Sequence, residues 1–381
     1  MKKDRIRGFK FTSLASGKAY LAKLAEGKLS VEEIEAEFPI KPDPEKAARL
    51  ANKYGKAGIT IKDAENKDAQ PISVIVEGEE EPKIVVPGEE DEEPVVEKTF
   101  EEKIADGGDV VLDNDLELAS VLKVKKDVNL DLNGKQLSIA AGNSHVISIM
   151  SNAKLSISNG KIVPAKRAIS ITSGELTIGE GVEITSPDVA IEASGANSKV
   201  IINGGLITSQ ESGVLVLSGA KLEINGGKLV GLDNGPVMGN GTAGKGDIEI
   251  VMNGGELEGN IQSAGYVAVG VYMPNSGSFT MNGGKITANG GAGLVARGGV
   301  STINSGEIIA TAHPTLEVGK VGDSRQVVPC SAIVYDKNSK YPAMDSLQIV
   351  VENGVALSGA HSDIEIISDE EQPNVIDKRV A

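Results

Sequence analysis

The chain has 381 residues, a net charge of −16, no tryptophan and only 3% aromatic residues. That charge argues against nucleic acid and against anionic membrane surfaces as partners, since both are met by Lys and Arg. The single cysteine, Cys330 in "VVPCSAIVYD", leaves no intrachain disulfide framework or cysteine-based metal site and reads as a small core residue.

The first twenty residues keep placing charges out to Lys10 and contain no apolar segment of the signal-peptide kind. No run approaches the roughly 18 apolar residues of a membrane span, so no membrane insertion is expected. Residues 1–70 read as short helices. Ser30 to Glu33, "SVEE", fits a capping box ahead of Val31, Ile34 and Phe38. Asp43-Pro44 opens a second helix, which Gly55 closes. This zone is mildly basic, with 15 Lys+Arg against 11 Asp+Glu. Its large apolar residues, Leu14, Leu21, Leu24, Ile34, Phe38 and Leu50, are few. The zone is either a small helical subdomain or a docking anchor completed by a partner.

Residues 71–99 alternate acid clusters, prolines and short β-branched islands. Ten acids against two lysines between Pro71 and Phe100 make this an extended, self-repelling linker. From Phe100 a short amphipathic helix is expected, then strands.

Downstream, one phrase recurs: "KLEINGGKLVG" at 221–231, "SFTMNGGKITA" at 278–288, and a blurred "VSTINSGEIIA" at 300–310. Turn glycines stand at Gly134, Gly160, Gly181, Gly205, Gly227, Gly255, Gly284, Gly306 and Gly354, spaced 26, 21, 24, 22, 28, 29, 22 and 48 residues apart. Each unit reads as three strands joined by small-residue turns, and the long last interval carries an insertion. Such a period predicts a β-solenoid, in which stacked units bury one another's inward side chains. In "KLEINGG", Leu222 and Ile224 point one way, Lys221 and Glu223 the other. Stacking places Asn203, Asn225, Asn253, Asn282 and Asn304 at one corner, where their amides can form a ladder. Loops 231–247 and 311–328 interrupt the units and are where a recognition surface would sit.

With "DGGDVVLDNDLELASVLKVKKDVNLDLNGKQLSI" as its entry, residues 100–365 resemble the right-handed parallel β-helix of the pectate-lyase-like superfamily. The resemblance implies a mainly β fold of about nine rungs, after a small helical segment and the acidic linker, with a C-terminal tail at 366–381. The family's enzymes cut polysaccharides with paired carboxylates, or with a basic residue and calcium. No Asp-Asp pair occurs here, and none of His145, His313 and His361 precedes a glycine. Arg297 in "VARGG" lacks the following lysine, and Asp188 and Asp233 stand as isolated acids. "GNGTAGKGD", residues 239–247, lacks the Lys-Ser/Thr ending of a phosphate loop.

No catalytic residue, cofactor or metal is therefore assigned. The order of parts resembles bacteriophage head fibres and tailspikes. That resemblance implies a virion-surface protein assembled in the host cytoplasm. Residues 1–70 would anchor it to a capsid or other virion protein, as a homo-oligomer with a trimer favoured, for adhesion to a host surface glycan. The alternatives are a polysaccharide depolymerase on the same fold, or a bacterial cell-surface adhesin.

Overall fold

Strands that alternate apolar and polar residues can stack in parallel only if the chain turns a corner after each one. This computed structural model describes residues 98–380, except 234, 240–245, 262–267, 275, 314–317, 321–326 and 338–345, together with four short strands before residue 74. The chain divides into two compact units, Met1–Glu93 and Pro94–Ala381. In the first, Asp4–Ile6 pairs antiparallel with Phe9–Phe11, and Thr60–Ile61 with Ile72–Ser73. The helices expected at 30–38 and 43–55, the anchor residues Leu14, Leu21, Leu24, Ile34, Phe38 and Leu50, and linker residues 74–97 lie outside the described residues.

The second unit is a parallel β-helix. Its first turn runs Gly108–Val111, Leu116–Leu118 and Leu122–Val124, and each strand founds one sheet. Sheet I has 11 strands and ends at Val375–Asp377. Sheets II and III have 10 each, ending at Ala356–Gly359 and Ile364–Ser368. Lys221–Ile224 lies parallel between Ser198–Ile202 and Ile248–Met252, and Gly277–Met281 between Ile248–Met252 and Val300–Ile303. Asn225-Gly226 and Asn282-Gly283 are thus corners, although Asn-Gly is equally a hairpin signal.

The nine glycine marks are the corners between sheets I and II in turns two to ten. The first turn makes the same corner with Asp113-Asn114-Asp115 and so escapes a glycine count, which is why ten turns form where about nine were expected. The 48-residue interval is a single turn carrying a hairpin, Val318–Lys320 against Val327–Pro329. The stack also continues past residue 365. Ile364–Ser368 and Val375–Asp377 draw parts of the segment read as a tail into sheets III and I.

Core columns run along the axis. In sheet II, Leu137, Ile162, Ile184, Ile207, Leu229, Leu257, Ile286 and Ile308 are all essentially inaccessible and stack in register. No element buries such a face alone, so stability comes from the contact between neighbouring turns. Outside, Lys161–Glu183, Lys228–Glu258 and Lys285–Glu307 pair across sheet II at 2.6–2.9 Å. On sheet I, Lys199 pairs with Glu223 and Lys221 with Glu249. Such exposed pairs are worth at most about 1 kcal/mol each.

The I–II corner carries the asparagines. Asn225 Nδ2 donates to Asn203 Oδ1 at 2.9 Å; Asn253 to Asn225, Asn282 to Asn253 and Asn304 to Asn282 follow at 2.8 Å each. Gly205, Gly227, Gly255, Gly284 and Gly306 close these corners with φ between 79° and 113°. The intervening glycine is required by proximity, since a Cβ on Gly226 or Gly254 would sit 2.7 Å from a carbonyl oxygen of the turn below. Replacing the ladder's middle residue, Asn253→Asp, removes a donor and sets a carboxylate against the Asn225 carbonyl. We expect a loss of about 1 kcal/mol, read by denaturant unfolding, with Asn253→Gly costing less than the charged variant.

A helix caps the first turn, and a hydroxyl-centred network ties the last strands to the coil. The helix Phe100–Asp106 starts on Thr99, whose side chain accepts from the Glu102 N–H while Glu102 caps the Thr99 N–H, and it buries Ile104 over the first turn. At the other end Tyr335, buried in the column, donates its hydroxyl to Glu370. The same hydroxyl accepts from the Asn374 N–H, and Lys337 pairs with Glu370 at 2.8 Å. Burial first, then the Glu370 bond, push the Tyr335 phenol up from 10.0 to about 12. The folded state therefore favours the neutral phenol. Its contribution is full below pH 10.0 and is lost as pH rises toward about 12. Stability should fall over that window, and Tyr335→Phe should flatten the fall while lowering stability at neutral pH.

Candidate functional site on the third sheet

The three corners of the coil are not equivalent. The I–II corner keeps its tight turn from one end to the other, whereas the four long interruptions all border sheet III. Segments 261–267 and 311–332 lie between sheets II and III, and segments 240–247 and 338–347 between sheets III and I. Both loops singled out from the sequence fall here. An outward face flanked by long loops in turns six to nine is the feature that departs from pure architecture.

In these turns sheet III is apolar on its outer side as well. Met238, Tyr272, Val295 and Val334 stack in one outward column, with Val269 and Ala292 in the next. Val328 and Cys330, from the 311–332 segment, pack on them as a second core outside the coil. Burial pushes the Cys330 thiol up, so the side chain behaves as a small hydrophobe. Beside this core, Arg297 and Asp336 occupy neighbouring turns, both fully buried. Arg297 Nε meets Asp336 Oδ2 at 2.6 Å and Nη1 donates to the Tyr272 hydroxyl at 2.7 Å. The guanidinium carbon also lies 5.3 Å from the Tyr272 ring centroid. Arg297 is thus a structural ion-pair residue of the loop-covered face.

Turns two to four of the same face are polar and partly open. His145 stacks beside Arg167, and its Nδ1 lies 2.8 Å from Ser144 Oγ. Arg167 reaches Glu192 at 2.5 Å and Asp188 at 3.6 Å. Ser148 and Ser170 share the outward column with Glu192. Burial pushes the His145 imidazole down; Glu192 opposes this and Arg167 adds to it. Asp188, isolated in the sequence, is brought together with Glu192 on one guanidinium. Asp233 accepts from Gln210 at 2.8 Å, His361 lies 3.4 Å from Glu365, and His313 is buried.

Chemically, this arrangement is suited to polar contact. Wherever a described carboxyl departs from its ordinary pKa, at Asp106, Glu223, Glu258, Glu370 and Asp377, the departure is downward, and a hydrogen-bonded Lys or Arg is the first cause. Among the described residues no group of three His, Cys, Asp or Glu is placed to hold a metal ion.

The Arg297–Asp336–Tyr272 cluster and the Arg167–Glu192 pair were not legible as such. One signal was present. "AVGVYM" and "GAGLVA" break the alternation and are buried at all six positions, the mark of a strand covered on both faces. No protein-family model matches the chain, and neither do curated proteins or solved structures.

Proposed function

We propose that this chain is a non-enzymatic appendage protein of a bacteriophage virion, a head fibre or spike. Its β-helix is a rigid spacer of roughly 43 Å for ten turns, and it presents the loop-bearing outer side of sheet III to a host surface glycan. Residues 1–70 act as the anchor to a capsid or other virion protein, residues 71–99 hold the rod away from it, and three copies assemble. The carrying observation is that all four long interruptions collect on one sheet while the opposite corner stays uniform. Selection for a rod alone gives no reason for that asymmetry. The polar patch of His145, Arg167 and Glu192 on the same sheet adds hydrogen-bonding groups of the kind sugars engage.

Immunogold labelling of purified particles with antibodies against the full chain tests the location, and binding of labelled chain to host-cell polysaccharide tests recognition. Gold on the particle surface and binding without product release are expected. Absence from particles would overturn the virion reading. A second reading, a depolymerase, draws on Asp188 and Glu192 meeting on Arg167. Release of reducing ends or unsaturated sugars, abolished by Asp188→Asn, would replace the first reading with it.

A further inference from the structure

Asn-Gly is the dipeptide most prone to lose its side-chain amide, because glycine leaves the following backbone nitrogen unobstructed. The described chain holds eight such pairs, at Asn133, Asn159, Asn203, Asn225, Asn253, Asn282, Asn289 and Asn353. Seven are held by the fold. The ladder fixes Asn203, Asn225, Asn253 and Asn282 amide to amide. Asn133 donates to the Leu112 carbonyl, Asn159 to Asp131 and Asn289 to Asn260. The nitrogens that would attack are also engaged at several of them. Gly226 and Gly254 donate to Ile202 and Ile224, Gly134 to Asn159 and Gly160 to Gly181, while Gly290 donates to the Thr311 hydroxyl.

Asn353 is different. Sheet register sets Ile303 beside Val351, so Glu352 holds the ladder position above Asn304 and Asn353 is displaced by one residue. Asn353 and Gly354 are both exposed, and neither the Asn353 amide nor the Gly354 N–H has a hydrogen-bond partner among the described residues. No further corner stacks on this one, because Val375–Asp377 extends sheet I alone. Gly354 has φ 91° with open space on its Cβ side, whereas a Cβ on Gly226, Gly254 or Gly283 would lie within 2.8 Å of backbone.

We propose that Asn353-Gly354 is a spontaneous deamidation site of the rod, and that the asparagine ladder is what spares Asn203, Asn225, Asn253 and Asn282. The Gly354 nitrogen attacks Asn353 Cγ, forming a C–N bond. The Cγ–Nδ2 bond then breaks, and ammonia leaves carrying the proton from the Gly354 N–H. Water opens the resulting succinimide at either carbonyl, giving Asp or isoaspartate. The product sets a new carboxylate next to Glu352, whose bond to Lys378 at 2.6 Å ties down the C-terminal segment. IsoAsp also lengthens the backbone of the corner beside buried Val355. Conversion therefore loosens the last turn first.

In a ladder corner two ordinary hydrogen bonds must open before ring closure, which slows conversion by roughly 10–30-fold relative to Asn353. The test is incubation of the full chain in mildly alkaline buffer, then proteolysis and mass-spectrometric mapping of amide-to-acid conversion at each pair. The peptide containing Asn353 should convert first, as separable Asp and isoAsp forms, and Asn353→Gln should remove that acidic variant while leaving the others unchanged. In denaturant Asn225 and Asn253 should catch up. Conversion of Asn225 or Asn253 as fast as Asn353 in the native chain would overturn the proposal, as would the same rate order persisting in denaturant.

Discussion

Arg297→Met should be among the most damaging single substitutions in the rod. The guanidinium and its partner Asp336 are both fully buried, so removing one leaves an uncompensated carboxylate in an apolar setting. Breaking such a pair costs about 3–5 kcal/mol, whereas replacing both partners by apolar residues of similar volume is close to neutral. Arg297→Met/Asp336→Leu should therefore recover most of the loss, and Arg297→Lys should fall between, since an ammonium lacks the fork that meets Asp336 and Tyr272 together. The damage should begin on the outer side of sheet III. Proteolysis within 311–332 should accelerate before far-UV circular dichroism reports loss of the coil. A near-neutral Arg297→Met would show that the pair contributes nothing to holding the loops down.

Phe279→Ala is the second large effect, about 3–5 kcal/mol for a fully buried aromatic ring. Phe279 stands in the inward column of sheet I with Leu222 and Ile250 before it and Ser301 and Ile349 after it. The small residue following the large one is a packing complement. It also buries a hydroxyl, Ser301 Oγ, with no hydrogen-bond partner among the described residues. Ser301→Val should accordingly raise stability by about 1 kcal/mol, because an unsatisfied buried polar group is replaced by an apolar one. Denaturant midpoints of the two variants should move in opposite directions. A destabilised Ser301→Val would mean that Phe279 already fills the space.

Much of the rod could be read in the sequence because its signals repeat. The Leu222/Ile224 alternation, the glycine marks and the corner asparagines each recur turn after turn, and the stack converts them into columns. The first turn was missed because its corner uses Asp113-Asn114-Asp115. The end of the coil was set too early because strand Val375–Asp377 belongs to sheet I by register and not by any repeat of the phrase. The functional face was legible only as places where the repeat lapses. The positions of segments 240–247 and 338–347 in the chain say nothing of their bordering the same sheet as 261–267 and 311–332. Likewise Arg297 and Asp336, 39 residues apart, meet only because one turn of the coil is unusually long. Asp188 looked isolated because its partner Arg167 lies on the turn before it.

The displayed-rod reading is tested most directly by particle incorporation of residues 94–381 against the full chain. The truncated chain retains its helix cap and every turn of the coil, so it should keep the β-rich spectrum and cooperative unfolding of the full chain. It should be missing from purified particles that carry the full chain. Incorporation of the truncated rod at the level of the full chain would contradict the anchor, and would place the attachment on the loops of sheet III or on the C-terminal end.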